Sequence, residues 1–440
     1  MPETAPDRPD VSEIRDVWPL LTPEERLESF SLLRREDAEE LYLGLSPLSQ
    51  ATILLGRPAG ERKIWMRLLA PDDAADVLQE VPPENRAELL GLLGESARRE
   101  VVALLAYAED EAGGLMSPRF ARARPEMTVE EAIRYVRRQA RNRLETIYYV
   151  YVLDARQRLL GVVSFRELLT ATADRNVEDV MRRDVATVPE DMDQETVARI
   201  IARHDILAVP VVDPEGRMKG IVTVDDVVDV VEAEATEDMH KLGGMEALET
   251  PYLQTRLASM LKARAGWLAV LFLGELLTAS AMGRYEDLIA HAVVLAVFVP
   301  LIISSGGNAG SQASTLVIRA MALGQVKLRD WHRIARRELL AGLSLGCILA
   351  VVGAIRVVAW EGIFGTYGDG YLRIAATVAL SLVGVVLWGT ITGAMLPFLL
   401  RTLRFDPASA SAPFVATLVD VFGLVIYFNA AALFLRGTLV

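Results

Sequence analysis

"PLIISSGGNAGSQASTLVIRA", Pro300–Ala320, lies within a stretch from Leu288 to Ile318 that contains no charged residue. A segment apolar enough to cross a bilayer here sets Gly306, Gly307, Asn308, Gly310, Ser311 and Gln312 in close succession. Small and amide residues weaken a helix and free backbone polar groups that hydrocarbon cannot satisfy. The sequence therefore predicts a Gly-Gly-Asn-Ala-Gly break whose carbonyls and amides turn toward a polar cavity. The competing reading is close helix packing of the Gly-xxx-Gly kind, since Gly306 and Gly310 are four apart. A tightly packed helix pair that forms the wall of a pore satisfies both.

Working outward, five segments are long and apolar enough to span: about 265 to 283, 288 to 318, 339 to 359, 374 to 400 and 412 to 435. Arg319, Lys327, Arg329, Arg333, Arg336 and Arg337 crowd the connection after the second, and Arg401 and Arg404 follow the fourth. The positive-inside rule then makes the N-terminus cytoplasmic and puts Val440 outside. Asp420, in "APFVATLVDVFGLVIYF", has 13 uncharged residues before it and 15 after it. An ionised group at that depth is costly, so it is expected to face water, a cation or a partner charge. Glu275, in "WLAVLFLGELLTASAM", has three readings: lining the same path, lying protonated in a helix interface, or pairing with a basic residue.

Charge divides the chain. Of its 46 basic and 59 acidic residues, 15 and 9 fall in 251–440, so that half carries +6 and the first 250 residues carry −19. Such an acidic half argues against a nucleic-acid surface and attracts cations. Cys347 is the only cysteine, which rules out an intrachain disulfide, and the four histidines lack ligand spacing. "MPETAPDRPD" has no apolar core of the signal-peptide kind, so residues 1–250 are expected in the cytoplasm. No phosphate-binding Gly loop, nucleophile elbow or zinc motif is present, and the expectation is a protein that is not an enzyme.

Residues 116–172 and 181–235 read as two copies of one α/β unit. Each opens on Met (Met116, Met181), runs through a helix ("TVEEAIRYVRRQ", "DQETVARIIARH") and reaches a strand ending in Asp ("YYVYVLD", "VPVVD"). The strands "GVVSF" and "GIVTV" and an acidic helix start follow. The copies resemble a tandem CBS pair, a module that often binds adenine nucleotides. That resemblance puts the site's acid at Glu167 and Asp226, with Tyr149 as base contact and Arg166 as phosphate contact. Residues 10–115 are short amphipathic helices punctuated by Leu-x-Pro starts, the pattern of a helical solenoid. Asp72 and Asp76 there share one helix face, and spacing alone favours a solvated face. Asp225, Asp226, Asp229, Glu232, Glu234, Glu237 and Asp238 then line the stretch leading into the first span. Seven acids at the mouth of a membrane domain are costly unless neutralised, and a shared divalent cation would do it.

"EDEAGGLM", the paired CBS units, "EAEATEDMHKLGG", "SSGGNAGSQASTLVIRA", "GAMLPFLL" and "PFVATLVD" together resemble the MgtE family of magnesium channels or transporters over essentially the whole chain. The resemblance implies a multidomain fold. An all-α helical solenoid N domain (1–115) precedes CBS units at 116–172 and 181–235, an acidic connecting (plug) helix at 236–260 and a five-helix all-α transmembrane domain at 261–440. It implies a homodimer in the cytoplasmic (inner) membrane, with the ion path between two membrane domains and Asp420 as the central metal-binding acid. Ala416 would contribute a carbonyl, and Gly306, Gly307 and Asn308 would line the pore. Asp72, Asp76, Glu195, Asp205, Asp226, Asp229, Glu234, Glu237 and Asp238 match positions where regulatory Mg²⁺ locks the cytoplasmic domains closed. Glu275 stands where relatives have a small residue, and Ala412 where some have Asn.

The implied activity is a Mg²⁺-selective path into the cytoplasm down the electrochemical gradient, closed by cytoplasmic Mg²⁺, with ATP as a further ligand of the CBS pair. Mg²⁺ binds few carboxylates while keeping several waters, so two Asp420 side chains about a two-fold axis would match its charge. The alternatives are a carrier for Mn²⁺ or Co²⁺, which share oxygen ligation, and a membrane-anchored nucleotide sensor.

Overall fold

A computed structural model describes residues 10–142, 144–248, 250–291 and 293–435; Val440, expected outside, falls beyond them. The chain divides into two compact units between Glu234 and Ala235.

The first unit opens with eight short helices, α1 Val11–Val17, α2 Pro23–Leu32, α3 Arg35–Leu43, α4 Pro47–Gly56, α5 Ala59–Met66, α6 Pro71–Glu80, α7 Pro83–Leu92 and α8 Glu95–Leu104. Proline opens α2, α4, α6 and α7, where its fixed φ suits the first turn and its missing N–H costs nothing. Thr22 and Glu25 add a capping box to α2. Helices two apart pack together, α2 on α4, α4 on α6 and α6 on α8, which is the solenoid expected. Phe30, Tyr42 and Trp65 meet edge-on at its centre.

After α9 Ala112–Leu115 come the repeats. The first is β1 Arg122–Ala123, α10 Val129–Gln139, β2 Tyr149–Leu153, β3 Leu159–Ser164 and α11 Phe165–Thr170, followed by α12 Val177–Val180. The second is β4 Val188–Pro189, α13 Gln194–His204, β5 Ala208–Val212, β6 Met218–Thr223 and α14 Val224–Leu242. Each sheet has one parallel and one antiparallel pair, Tyr149 facing Ser164 in one and Ala208 facing Thr223 in the other. Even the register slips coincide, at Val152/Leu153 and Val211/Val212. The residue after each opening Met crosses to the other copy: Ser117 pairs with Ile221, and Arg182 with Val162. The glycines of "GVVSF" and "GIVTV" allow this. A Cβ on Gly161 would lie 2.6 Å from Arg182 O, and one on Gly220 2.8 Å from Ser117 O.

Among its described residues the second unit holds five helices long and apolar enough to cross a membrane. They are α15 Leu257–Gly283, α17 Val294–Ala322, α18 Trp331–Phe364, α19 Tyr371–Thr402 and α20 Ala412–Leu435, with the short α16 Glu286–His291 after the first. Helices α15, α18 and α19 outrun the apolar segments expected of them, α20 matches its own, and α17 starts later, at Val294, and ends later, at Ala322.

Helix contacts agree with a chain that crosses five times. Trp267 meets Phe414 and Tyr285 stacks on Phe428, so spans one and five run parallel. Gly306 backs onto Val385 and Gly310 onto Gly389, so spans two and four run parallel. Tyr427 Oη donates to Leu295 O at 2.8 Å while Ser314 Oγ donates to Ala410 O at 2.7 Å, so spans two and five run antiparallel. Spans of equal parity point the same way, as alternating crossings require.

One expectation is corrected here. The Gly-Gly-Asn-Ala-Gly stretch does not break its helix: α17 is continuous from Val294 to Ala322. Its glycines serve packing instead. A Cβ on Gly310 would lie 2.8 Å from both Gly389 O and a Val415 methyl, and one on Gly306 would lie 2.8 Å from a Val419 methyl and 3.0 Å from Val385 O. The backbone bonds that weak helix formers would lose in water are worth keeping where no water can replace them.

Candidate functional site: a membrane carboxylate and a cytoplasmic acid cluster

Asp420 sits half-buried midway along α20. The same helix packs antiparallel on α17, where Gly307 faces Ala416 (3.4 Å from a Cβ on Gly307 to the Ala416 Cβ) and Ser311 Oγ donates to Ala412 O at 3.1 Å. Gly306, Gly307 and Ala416 therefore meet along one seam, and Asn308 on α17 is exposed, its Nδ2 3.4 Å from Ser304 Oγ. On its other side α15 packs against α20, with Gly274 backing onto the Thr417 methyl one turn before Asp420, so Glu275 lies at the same level of the seam.

In the first unit, α6 turns Asp72 and Asp76 inward. Asp72 is 7% exposed and Asp76 half-buried, so the solvated face expected from spacing is corrected: spacing fixes which residues share a face, and only packing decides what covers it. Burial first, then the charges of Glu145, Asp73 and Asp226, push the Asp72 carboxyl far above its usual range. Asp72 Oδ1 is buried without a hydrogen-bond partner. Burial, then Asp73, Asp226, Glu109 and Glu80, raise Asp76 to about 7. Burial also raises Asp226 to about 7; Thr223 opposes the shift through hydrogen bonds, and Asp225 and Glu145 add to it. Burial likewise lifts Glu145, against the hydrogen bond it accepts from Ser117 Oγ. Glu145 carries no motif and was missed in the sequence; it arrives from the loop before β2.

The remaining acids have other local partners. Glu195 pairs with Arg199, and Asp205 ends the opposite tip of α13 in a left-handed conformation at φ 50°. Asp229 is lifted by burial and then by Glu232 and Asp225. Glu234 accepts from Gln194 Nε2 at 2.5 Å, Glu237 pairs with Lys241, and Asp238 lies half-buried on the same helix. Among the described residues no three His, Cys, Asp or Glu side chains converge closely enough to hold a metal by direct ligation alone. An ion that keeps most of its water does not need such a cage.

Tyr149, Arg166 and Glu167 line one open cleft with Phe165, Arg182 and Leu207. Glu167 is engaged within it: Oε2 accepts from Ser164 N and Oγ, each at 2.7 Å, and Oε1 lies 3.3 Å from Arg182. Burial works against ionisation, but the Ser164 hydrogen bonds and Arg182 outweigh it and hold this carboxyl below its usual range. Asp226 does the same for Thr223 in the second copy, accepting from its N and Oγ. The matching acids of the two repeats thus share a helix-capping task.

Residues 299–430 match the family model of MgtE, described as a divalent cation transporter; residues 10–110 match the MgtE intracellular N domain, and 112–174 and 177–233 match CBS domains. The chain is 43% identical to the magnesium transporter MgtE of Thermus thermophilus over 424 residues, covering 96% of this chain and 92% of that one. It is 33% identical to the magnesium transporter MgtE of Enterococcus faecalis, covering 97% and 94%. Among solved structures, the cytosolic domain of the Mg²⁺ channel MgtE in complex with ATP is 44% identical with a TM-score of 0.47, covering 50% of this chain and 90% of that one. Near full-length likeness of this degree, spanning the acid cluster and the Asp420 helix alike, means that the chain belongs to the MgtE family of divalent cation transporters.

Proposed function

We propose that the chain is a Mg²⁺-selective channel of the inner membrane that works as a homodimer and admits Mg²⁺ to the cytoplasm down its electrochemical gradient. The observation that carries this reading is Asp420, a carboxylate midway along an apolar span, beside the Gly307–Ala416 seam. Such a charge is sustained by water or a cation, and two copies about a two-fold axis offer two charges to a hydrated divalent ion. Gly306, Gly307, Asn308 and the Ala416 carbonyl shape the path beside it. The basic residues after spans two and four support a cytoplasmic N-terminus and an outward C-terminus. The functional parts are the N domain, the two CBS units, the acidic connecting helix and the pore domain; the connecting helix is α14, which starts at Val224 and ends at Leu242 and not at 236 and 260 as the sequence suggests.

Gating follows from the acid cluster. Asp72, Asp76, Asp226 and Glu145 repel one another at low Mg²⁺, and Asp229, Glu234, Glu237 and Asp238 continue the acidic track along α14. Mg²⁺ held through water by these acids, with Glu195 and Asp205 as further contacts, favours the compact arrangement and closes the path. ATP binding at the Tyr149, Arg166 and Glu167 cleft is a subsidiary proposal, supported by that shared lining. Transport of Mn²⁺ or Co²⁺ is the competing reading.

The test is flux into proteoliposomes. Wild-type protein should carry Mg²⁺, and Asp420→Ala should abolish uptake while remaining a folded dimer. Undiminished uptake by the variant would refute the proposal.

A further inference from the structure

We propose that the groove between the start of α18 and the end of α19 holds an anionic phospholipid of the adjacent leaflet, its acyl chain along the groove and its phosphate among the arginines at the rim. That leaflet is the cytoplasmic one in the orientation proposed above.

The groove is apolar and open. It encloses about 330 Å³ and is lined by Leu328, Trp331, Met395, Phe398, Leu399 and Thr402. Phe398 and Met395 form its floor, because they pack inward in one cluster with Val317 and Met321 of α17. Leu328, Trp331 and Leu399 stay exposed along its sides. Thr402 offers no free donor, since its hydroxyl is turned back onto Phe398 O at 2.8 Å. Such walls suit a hydrocarbon chain and give a polar ligand nothing to bind.

The rim supplies the charge. Arg329 and Arg333 flank Trp331 in sequence, Arg401 adjoins Thr402, and Arg404 follows two residues after it. All four are exposed, and none forms an ion pair among the described residues. The nearby acids are otherwise engaged: Asp330 accepts from Lys327 N at 3.0 Å, Asp406 holds Lys241, and Glu338 lies beside Arg337. Arg404 sits just past α19 at φ 64°, a left-handed conformation that suits glycine and strains any residue with a Cβ. A guanidinium is thus kept there against the preference of the backbone. The last carbonyls of α19 also favour a cation, so a test has to read lipid preference and not stability alone.

Charge decides the occupant. A zwitterionic headgroup leaves these four arginines unbalanced, whereas an anionic one gains from each of them, and long guanidinium side chains reach up to headgroup level from the ends of spans. Trp331 suits the same junction, its ring against hydrocarbon and its N–H toward the polar layer. A two-fold axis through the groove would instead bring the arginines toward their own copies, which repel.

The experiment titrates full-length wild type, an Arg401→Gln/Arg404→Gln double variant and Leu399→Trp in neutral detergent with phosphatidylglycerol or phosphatidylcholine of identical chains. Native mass spectrometry counts the lipid retained. Wild type should hold phosphatidylglycerol more than about tenfold more tightly than phosphatidylcholine, and the double variant should lose roughly twentyfold in phosphatidylglycerol affinity, about fivefold per arginine. Its phosphatidylcholine binding should not change. Leu399→Trp fills the groove without touching its charge and should displace the bound phosphatidylglycerol. Equal retention of the two lipids by wild type would overturn the proposal, as would a phosphatidylglycerol preference that survives in the double variant or retention unaltered by Leu399→Trp. A dimer that comes apart in Leu399→Trp would also overturn it, by making the groove a contact between copies.

Discussion

Lys241 Nζ lies 2.5 Å from Asp406 Oδ2 and also pairs with Glu237, so the end of α14 is clamped to the connection between α19 and α20. Leu242 packs beside the clamp on a cluster of Ile318, Ala408 and Ala410. Gly244, at φ 71°, turns the chain where a Cβ would crowd the Trp267 ring at 2.8 Å and Pro413 at 3.2 Å. Burial works against the Lys241 charge, but its hydrogen bonds to Asp406 and Glu237 outweigh it and raise its pKa. The acidic connecting helix thus holds the loop that leads into the Asp420 span.

Breaking that clamp should uncouple cytoplasmic Mg²⁺ from the pore. Lys241→Met is expected to fold, because a part-exposed ion pair contributes only about 1 kcal/mol. It should conduct Mg²⁺, yet need several-fold more cytoplasmic Mg²⁺ for half-inhibition. Patch recording with stepped bath Mg²⁺ measures this, and an unchanged inhibition curve would remove Lys241 from the gating path.

The raised carboxyls at Asp76 and Asp226 predict a pH dependence with a definite sign. Each has a pKa near 7 in the folded protein against an ordinary value near 3.8. Below about pH 4 both states are protonated and these groups leave the compact arrangement unpenalised; as pH rises from there to about 7 their ionisation destabilises it, and above 7 the penalty is complete. In EDTA, the full-length protein should therefore resist proteolysis between its cytoplasmic domains better at pH 6 than at pH 8. Added Mg²⁺ should erase the difference at pH 8 and release protons as it binds. Equal cleavage at both pH values would sink the argument.

Much of this was visible in the residues because it rests on short-range regularities. Leu-x-Pro starts mark the solenoid, the paired Met-to-Asp patterns mark the repeats, and an acid flanked by apolar residues marks Asp420. What escaped depends on long-range packing. Glu145 reaches α6 only through the tertiary fold, and the burial of Asp72 reflects what covers α6, not its own spacing. The unbroken α17 escaped for another reason: intrinsic propensities measured in water undervalue the helix where lipid and close glycine contacts surround it.

Neutralising one acid of the cluster should mimic Mg²⁺. Asp76→Asn removes a half-buried charge that faces Asp73 and Asp226. Its Mg²⁺-free melting temperature should rise by a few degrees, on the order of 1 kcal/mol for relieved repulsion and desolvation. The further rise on adding Mg²⁺ should shrink. A lower melting point without Mg²⁺ would show that the charge is compensated.

Gly310 and Gly307 separate packing from permeation on one helix. A Cβ on Gly310 would meet Gly389 O and a Val415 methyl at 2.8 Å, and backbone cannot step aside, so Gly310→Ala should cost about 1–3 kcal/mol and lower thermal stability in detergent. Gly307 is different. A Cβ there would meet only Ala416, its Cβ at 3.4 Å and its Cα at 3.6 Å, close to ordinary contact, so Gly307→Ala should fold with near wild-type stability. Because Gly307 packs on Ala416, one turn before Asp420 on the same helix, the added methyl should still lower Mg²⁺ flux several-fold. Thermal melts and proteoliposome uptake on the two variants give a crossed pattern: Gly310→Ala unstable, Gly307→Ala stable but slow. A stable Gly307→Ala with wild-type flux would take this seam out of the ion path and leave its glycines with packing alone.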